Sequence, residues 1–179
     1  AGVGRIGIVD DDRVQVSNLQ RQVLFCYEDV GELKARVAQN RLSINNPLVT
    51  IEAFTERLVP ENYQQLLESF EIVVDGSDNF PTRYLINDAC VLMNKILVHG
   101  SIFKFQGQVS VFNFNNGPTY RCLFPEPPTY DKLPNCSEIG VLGVLPGIIG
   151  SLQAAEAIKL ITGIGSVLSG KVFLYDALT

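Results

Sequence analysis

Glu71-Ile-Val-Val-Asp75, running into Gly76-Ser77-Asp78-Asn79, is the stretch on which the fold turns. Three aliphatic residues in a row between two acids show neither a helical period nor an in–out alternation. They read as a short strand buried on both faces. The Gly-Ser-Asp-Asn cluster is a turn. Asn79 or a neighbour then caps a helix that has Pro81 in its first turn and runs to about Asn94.

The same alternation extends both ways. Upstream, Arg5-Ile-Gly-Ile-Val-Asp10 is a second apolar run ending in acids. Residues 31–45 space Leu33, Val37, Leu42 and Ile44 for a helix, 49–54 are strand-like, and 60–70 open on a proline and carry Leu66 and Leu67 as a short helix. Downstream, 96–100 is a strand, and 108–114 alternates as an antiparallel strand paired with an extended partner near 101–104. Residues 115–138, with five prolines, read as a loop; 147–161 is a small-residue helix that must be buried or paired; 171–175 is a closing strand. The pattern is that of an α/β protein with a mostly parallel sheet, helices on both faces and an antiparallel extension. Ligands of such sheets sit at the carboxyl ends of the strands, which here carry Asp10-Asp11-Asp12 and Asp75 to Asn79.

Length and composition narrow the function. The 179 residues are 46% hydrophobic and 18% charged, with a net charge of −5, suited to one globular domain. That charge argues against nucleic acid and against an anionic membrane surface. The apolar stretch 139–152 is too short to span a bilayer. A single histidine, His99, excludes HExxH zinc sites and His clusters. Four cysteines, at 26, 90, 122 and 136, form no CxxC pair and read as reduced thiols of a cytoplasmic protein. No signal run opens the sequence.

Several residues carry two readings each. Gly2-Val-Gly4-Arg-Ile-Gly7 matches GxGxxG, but no strand precedes it and a strand follows, so it reads as a turn. Asp10 is a ribose-binding acid or a solvated turn acid. Arg21 and Lys34 are ligand cations near the mouth of the sheet or ordinary surface charges. Asp78 is a divalent-metal ligand or a helix cap, and the two are compatible. Cys136 is a nucleophile or a small buried hydrophobe. His99, inside an apolar strand, reads as a satisfied core histidine.

Ile8-Val-Asp10, Ser17-Asn-Leu-Gln-Arg-Gln22, Val30-Gly-Glu-Leu-Lys34, Val74-Asp-Gly-Ser-Asp78-Asn79, Arg83 and Gly147-Ile-Ile-Gly-Ser-Leu-Gln-Ala-Ala-Glu-Ala-Ile-Lys159 together resemble the MoeB/ThiF/HesA family, bacterial relatives of ubiquitin-activating enzymes. The likeness covers the whole chain, and 117–125 with 143–150 looks closest to MoeB-type molybdopterin-synthase adenylyltransferases. It implies a Rossmann-like fold and ATP- and Mg²⁺-dependent adenylation of the C-terminal glycine carboxylate of a ubiquitin-like sulfur carrier, releasing pyrophosphate. On the matching positions, Asp10 would bind the ribose. Asn18, Arg21 and Lys34 would contact phosphates, with Ser17 and Gln20 alongside, and Asp78 would hold the metal beside Asn79. Cys136 sits where some relatives form a covalent link to the carrier, and relatives are homodimers.

Departures from the family pattern shape three further expectations. The family's first strand and glycine-rich nucleotide loop lie upstream of the segment resembled by Ala1 onward, so 1–179 reads as a single adenylation domain lacking that loop. Only Cys122 stands where a zinc-binding CxxC would be, so no zinc site is expected. A chain without its nucleotide loop could instead be a non-catalytic scaffold of the same fold that binds the carrier without turning over ATP.

Overall fold

The computed structural model describes residues 3–128 and 140–179. They form two compact units, Ala1–Leu66 and Leu67–Thr179.

In the first unit, strand β1 (Arg5–Val9) pairs in parallel with β2 (Thr50–Phe54), and Val9 lies opposite Phe54. The connection carries helix α1 (Lys34–Asn45), which buries Ala35, Val37 and Ala38. The helix starts three residues later than its apolar spacing suggests. Gly31, at φ +94°, donates its N–H to the Val14 carbonyl, Val14 N–H donates to Glu32 O, and Lys34 N–H donates to Asp12 O. Residues 31–33 are thus zipped to the loop after β1, and only the left-handed freedom of glycine lets the chain turn there. Helix α2 (Tyr63–Leu67) is shorter than expected; the turn before it is closed by Asn62, whose Oδ1 accepts from Val59 N–H at 2.9 Å and whose N–H donates to Val59 O.

The second unit is a four-stranded sheet in the order β3 (Ile72–Asp75), β4 (Ile96–Phe103), β5 (Gln106–Phe112), β6 (Phe173–Asp176). Strands β3 and β4 are parallel, with Asp75 opposite His99; β5 and β6 extend the sheet antiparallel. The expected α/β architecture with an antiparallel extension is present, and Ser101 faces Gln108 across the hairpin. Helix α3 (Phe80–Leu92) is capped by Asn79, whose Oδ1 accepts the Thr82 N–H at 2.9 Å. Within the stretch read as loop, a single turn of helix, α4 (Tyr120–Leu123), is held by tertiary contacts. Tyr120 N–H donates to buried Asn87 Oδ1 at 2.9 Å, and the Tyr120 ring packs edge-on against Tyr84.

Helix α5 (Leu145–Thr162) ends on Gly163 at φ +70°, a left-handed stop. It turns Leu145, Ile149, Gln153 and Glu156 inward and lies along β4 and β5. Two glycines on that face of the hairpin receive it. A methyl on Gly107 would sit 2.4 Å from Ile149 Cδ1, and one on Gly100 would sit 2.3 Å from Gln153 Cδ. Among the described residues no helix is long and apolar enough to cross a membrane.

Candidate active site

In each unit a parallel strand leads into an aspartate that folds its own turn. After β1, Asp10 Oδ1 accepts the N–H of Asp12 at 2.8 Å; after β3, Asp75 Oδ1 accepts the N–H of Ser77 at 2.8 Å. A short carboxylate bonding two residues ahead is what makes Asp a turn former. It also leaves the following residues presented at the strand ends, where α/β proteins place their ligands.

On the first unit the structure brings Asp10 and Lys34 together. The zipper described above carries Lys34 to the loop, and its Nζ bonds Asp12 Oδ2 at 2.7 Å. The lysine side chain is only 11% exposed and that of Asp12 is 68% exposed. The lysine is therefore fixed by a partner that water already reaches. Asp10 is half-buried; burial pushes its carboxyl above the ordinary range, against the pull of the Asp12 N–H and of Lys34. Oxygens of Asp10, Asp11 and Asp12 lie within 4.8 Å of one another.

A 3-10 turn, Val16–Asn18, runs on into a turn at 19–21. Asn18 is buried, with its Oδ1 accepting Gln15 N–H at 3.1 Å, so its side chain builds the turn. Arg21 Nη1 donates to the Ser17 carbonyl at 2.9 Å, which leaves the rest of the guanidinium fork open to an anion. Ser17 and Gln20 are exposed.

On the second unit Asp78 is exposed at the tip of the turn. Among the described residues its side chain has a long hydrogen bond, 3.5 Å from Asn79 Nδ2. The turn beneath is pinned on all sides. Arg83 Nη2 donates to the Ser77 carbonyl at 3.2 Å, and Asn79 caps α3. Asp75 Oδ2 takes the buried His99 Nδ1 at 3.0 Å. Burial alone would push the Asp75 carboxyl up, yet the His99 ring and Ser77 hold it below the ordinary range. A hard cation such as Mg²⁺ takes one or two carboxylates and completes its shell with water and phosphate oxygens; an exposed carboxylate with free lone pairs, as at Asp78, fits that demand.

Asp12, Asp75 and Gln153 went unassigned in the sequence. The repeated pattern of a strand ending on Asp could have pointed to Asp75. Asp12 as the lysine's partner needed the zipper, and Gln153 needed the helix laid on the sheet. His99 is core, as expected, but only half satisfied: Nδ1 is bonded and buried Nε2 has no partner among the described residues. Cys136 lies outside the described residues. Cys122 is exposed; the Thr119 hydroxyl, 3.5 Å from its sulfur, and then the Thr119 N–H at 3.4 Å hold the thiol below its ordinary range.

Each unit carries a polar turn at the carboxyl end of a parallel strand, the position at which α/β proteins of the nucleotide-binding class place their ligands. The model of the ThiF family matches residues 1–179. The chain belongs to that family. It is 58% identical to a sulfur carrier protein adenylyltransferase of Thermus thermophilus, over 99% of this chain and 68% of that protein. It is 48% identical to a SAMP-activating enzyme E1 of Haloferax volcanii, covering 99% of the chain and 65% of the relative. A probable molybdopterin-synthase adenylyltransferase of Porphyra purpurea is 47% identical over all of this chain, which spans 47% of that relative. In fold, the structure of E. coli MccB with ATP superposes at a TM-score of 0.76 over 98% of the chain and 56% of MccB, with 21% identity.

Proposed function

We propose that residues 1–179 form one adenylation domain that, with ATP and Mg²⁺, adenylates the C-terminal glycine carboxylate of a ubiquitin-like sulfur carrier. The observation that carries the reading is Lys34, held in place beside half-buried Asp10 by an aspartate that is itself exposed. Water reaches the pair from the Asp12 side and screens it, so a polyphosphate can draw the ammonium from Asp12 without unfolding anything. The names of the relatives favour adenylation over a scaffold that only docks the carrier.

The step needs no general base. The carrier's carboxylate is ionised at neutral pH, and one of its oxygens forms a bond to the α-phosphorus. The bond from that phosphorus to the pyrophosphate bridging oxygen breaks, and its electron pair leaves with pyrophosphate; the products are acyl-adenylate and pyrophosphate. What the protein must supply is positive charge where negative charge builds. Lys34 gives a point charge and Arg21 a planar fork, both toward the phosphates, with Ser17, Gln20 and the turn built by Asn18 alongside. Asp10 receives the ribose hydroxyls. Asp78, beside Asn79, holds the metal. When bound, Mg²⁺ neutralises the triphosphate oxygens.

The same reading includes Cys136 as the residue that forms the covalent link to the carrier, a cytoplasmic setting and a homodimer. The outward face of α5, with Gly147, Gly150, Ser151 and Ala154 exposed, supports close approach of a second copy.

Calorimetric titration of ATP with Mg²⁺ into the full-length protein tests the binding half. The wild type should give a saturable heat, and Lys34→Ala should weaken it on the order of tenfold, the loss of one charge-assisted contact. An absence of heat from the wild type would establish the scaffold instead.

A further inference from the structure

The turn that carries Asp78 hangs on a network the proposed chemistry does not use. Asp75 is 1% exposed and His99 1% exposed, and a carboxylate so buried survives only with partners. Its two oxygens divide the work. Oδ2 takes His99 Nδ1 at 3.0 Å, and Oδ1 takes the Ser77 N–H at 2.8 Å. The carbonyl of the same residue accepts from Gln153 Nε2 at 2.7 Å, and that amide also donates to Val98 O at 3.2 Å. The side chain of Gln153 lies in the notch left by Gly100. The end of β3 is thereby fixed from α5 on one side and from β4 on the other, and Asp78 stands three residues beyond.

Hydrogen bonding at this pair assigns a proton. A carboxylate only accepts, so Nδ1 carries the hydrogen. Among the described residues His99 Nε2 has no partner, and His99 packs its ring against Tyr120, centroids 4.9 Å apart. A buried imidazole with one nitrogen unused is what remains when the other nitrogen is the one that matters. A hydrophobic residue would fill the space, but it would leave Asp75 Oδ2 buried and unpaired.

We propose that His99, through Asp75, is a positioning residue for the adenylation site. Its Nδ1–H holds the Asp75 carboxylate so that Oδ1 fixes the Ser77 N–H and aims Asp78. The inference rests on Asp78 acting at the reacting phosphates, as proposed above. Neither His99 nor Asp75 touches substrate. A small error in aim is enough to matter, because misplacing a reacting group by about 1 Å can lower a rate on the order of a hundredfold.

The test uses the full-length enzyme and carrier-dependent exchange of pyrophosphate into ATP, with His99→Leu and His99→Asn compared. The asparagine amide places an N–H where Nδ1 stands; leucine places none. His99→Leu should lose at least tenfold in kcat with the KM for ATP unchanged within about twofold, and His99→Asn should recover most of the loss. Equal activity in His99→Leu and wild type, with Asp78→Asn inactive, overturns the positioning role while leaving the site intact. A wild type without exchange, or a fully active Asp78→Asn, overturns the site itself. Should His99→Leu fail to fold, nitrogen-15 NMR of the wild-type imidazole decides, assigned by the signal missing in His99→Asn: a protonated Nδ1 supports the inference and a bare Nδ1 overturns it.

Discussion

Replacing Gly100 by alanine should destabilise the protein through one side chain alone. Gly100 lies in strand β4, and an added Cβ would sit 2.3, 2.5 and 2.6 Å from Cδ, Oε1 and Nε2 of Gln153. Nothing else comes that close, so the strain is relieved by swinging the amide away. Its two hydrogen bonds, to Asp75 O and Val98 O, are then lost in a buried place. A buried polar group left unpaired costs about 1–3 kcal/mol, and the two carbonyls together set an expected loss of about 2–6 kcal/mol. Guanidinium unfolding at constant m-value reads it as a lower midpoint. The decisive comparison is made in Gln153→Ala, where the obstacle is gone. There Gly100→Ala should be neutral or slightly stabilising, since it only restricts the unfolded chain. An unchanged loss in that background would refute the account, because a double-mutant cycle isolates the pair.

Three further outcomes follow from the same geometry. Asp75 has its carboxyl held below the ordinary value of 3.8, so its contribution to stability is full above that pH and disappears as pH falls through the lower folded value. Asp75→Asn should therefore flatten the acid limb of stability below about pH 4, read as unfolding midpoint against pH. Asp10 is the opposite case: its carboxyl is raised by burial, so the folded state is penalised at neutral pH. Asp10→Asn should raise the thermal midpoint at pH 7, with the gain fading below about pH 4, while nucleotide affinity falls; a lower midpoint would contradict it. Asn79→Ala removes the cap on Thr82 N–H and should cost about 1 kcal/mol of stability, measured by the same unfolding titration.

Much of the frame was readable in the chain because local and global signals agree there. The run Ile72-Val-Val74 is a strand, though Val74 is exposed rather than buried; Asn79 with Pro81 opens a helix; and 108–112 is an antiparallel strand, though 109–112 are buried on both faces. What escaped was set by distant partners. The turn of helix at Tyr120 exists because Asn87 and Tyr84 receive that residue, which no local propensity states. The late start of α1 comes from pairing of 31–34 with the loop after β1. The candidate site residues Asp10, Arg21, Lys34 and Asp78 could be named from the chain because polar side chains beside strand ends are a local signal. The residues that hold them, Asp12, Asp75 and Gln153, act through contacts made only after folding.

The central claim is that Asp78 serves adenylate transfer to a carrier's terminal carboxylate. Incorporation of labelled pyrophosphate into ATP by the full-length protein, with and without carrier, measures it most directly. The account predicts exchange that depends on the carrier and falls by at least a hundredfold in Asp78→Asn, with folding unchanged because that side chain is exposed. Exchange at the wild-type rate in Asp78→Asn would contradict it.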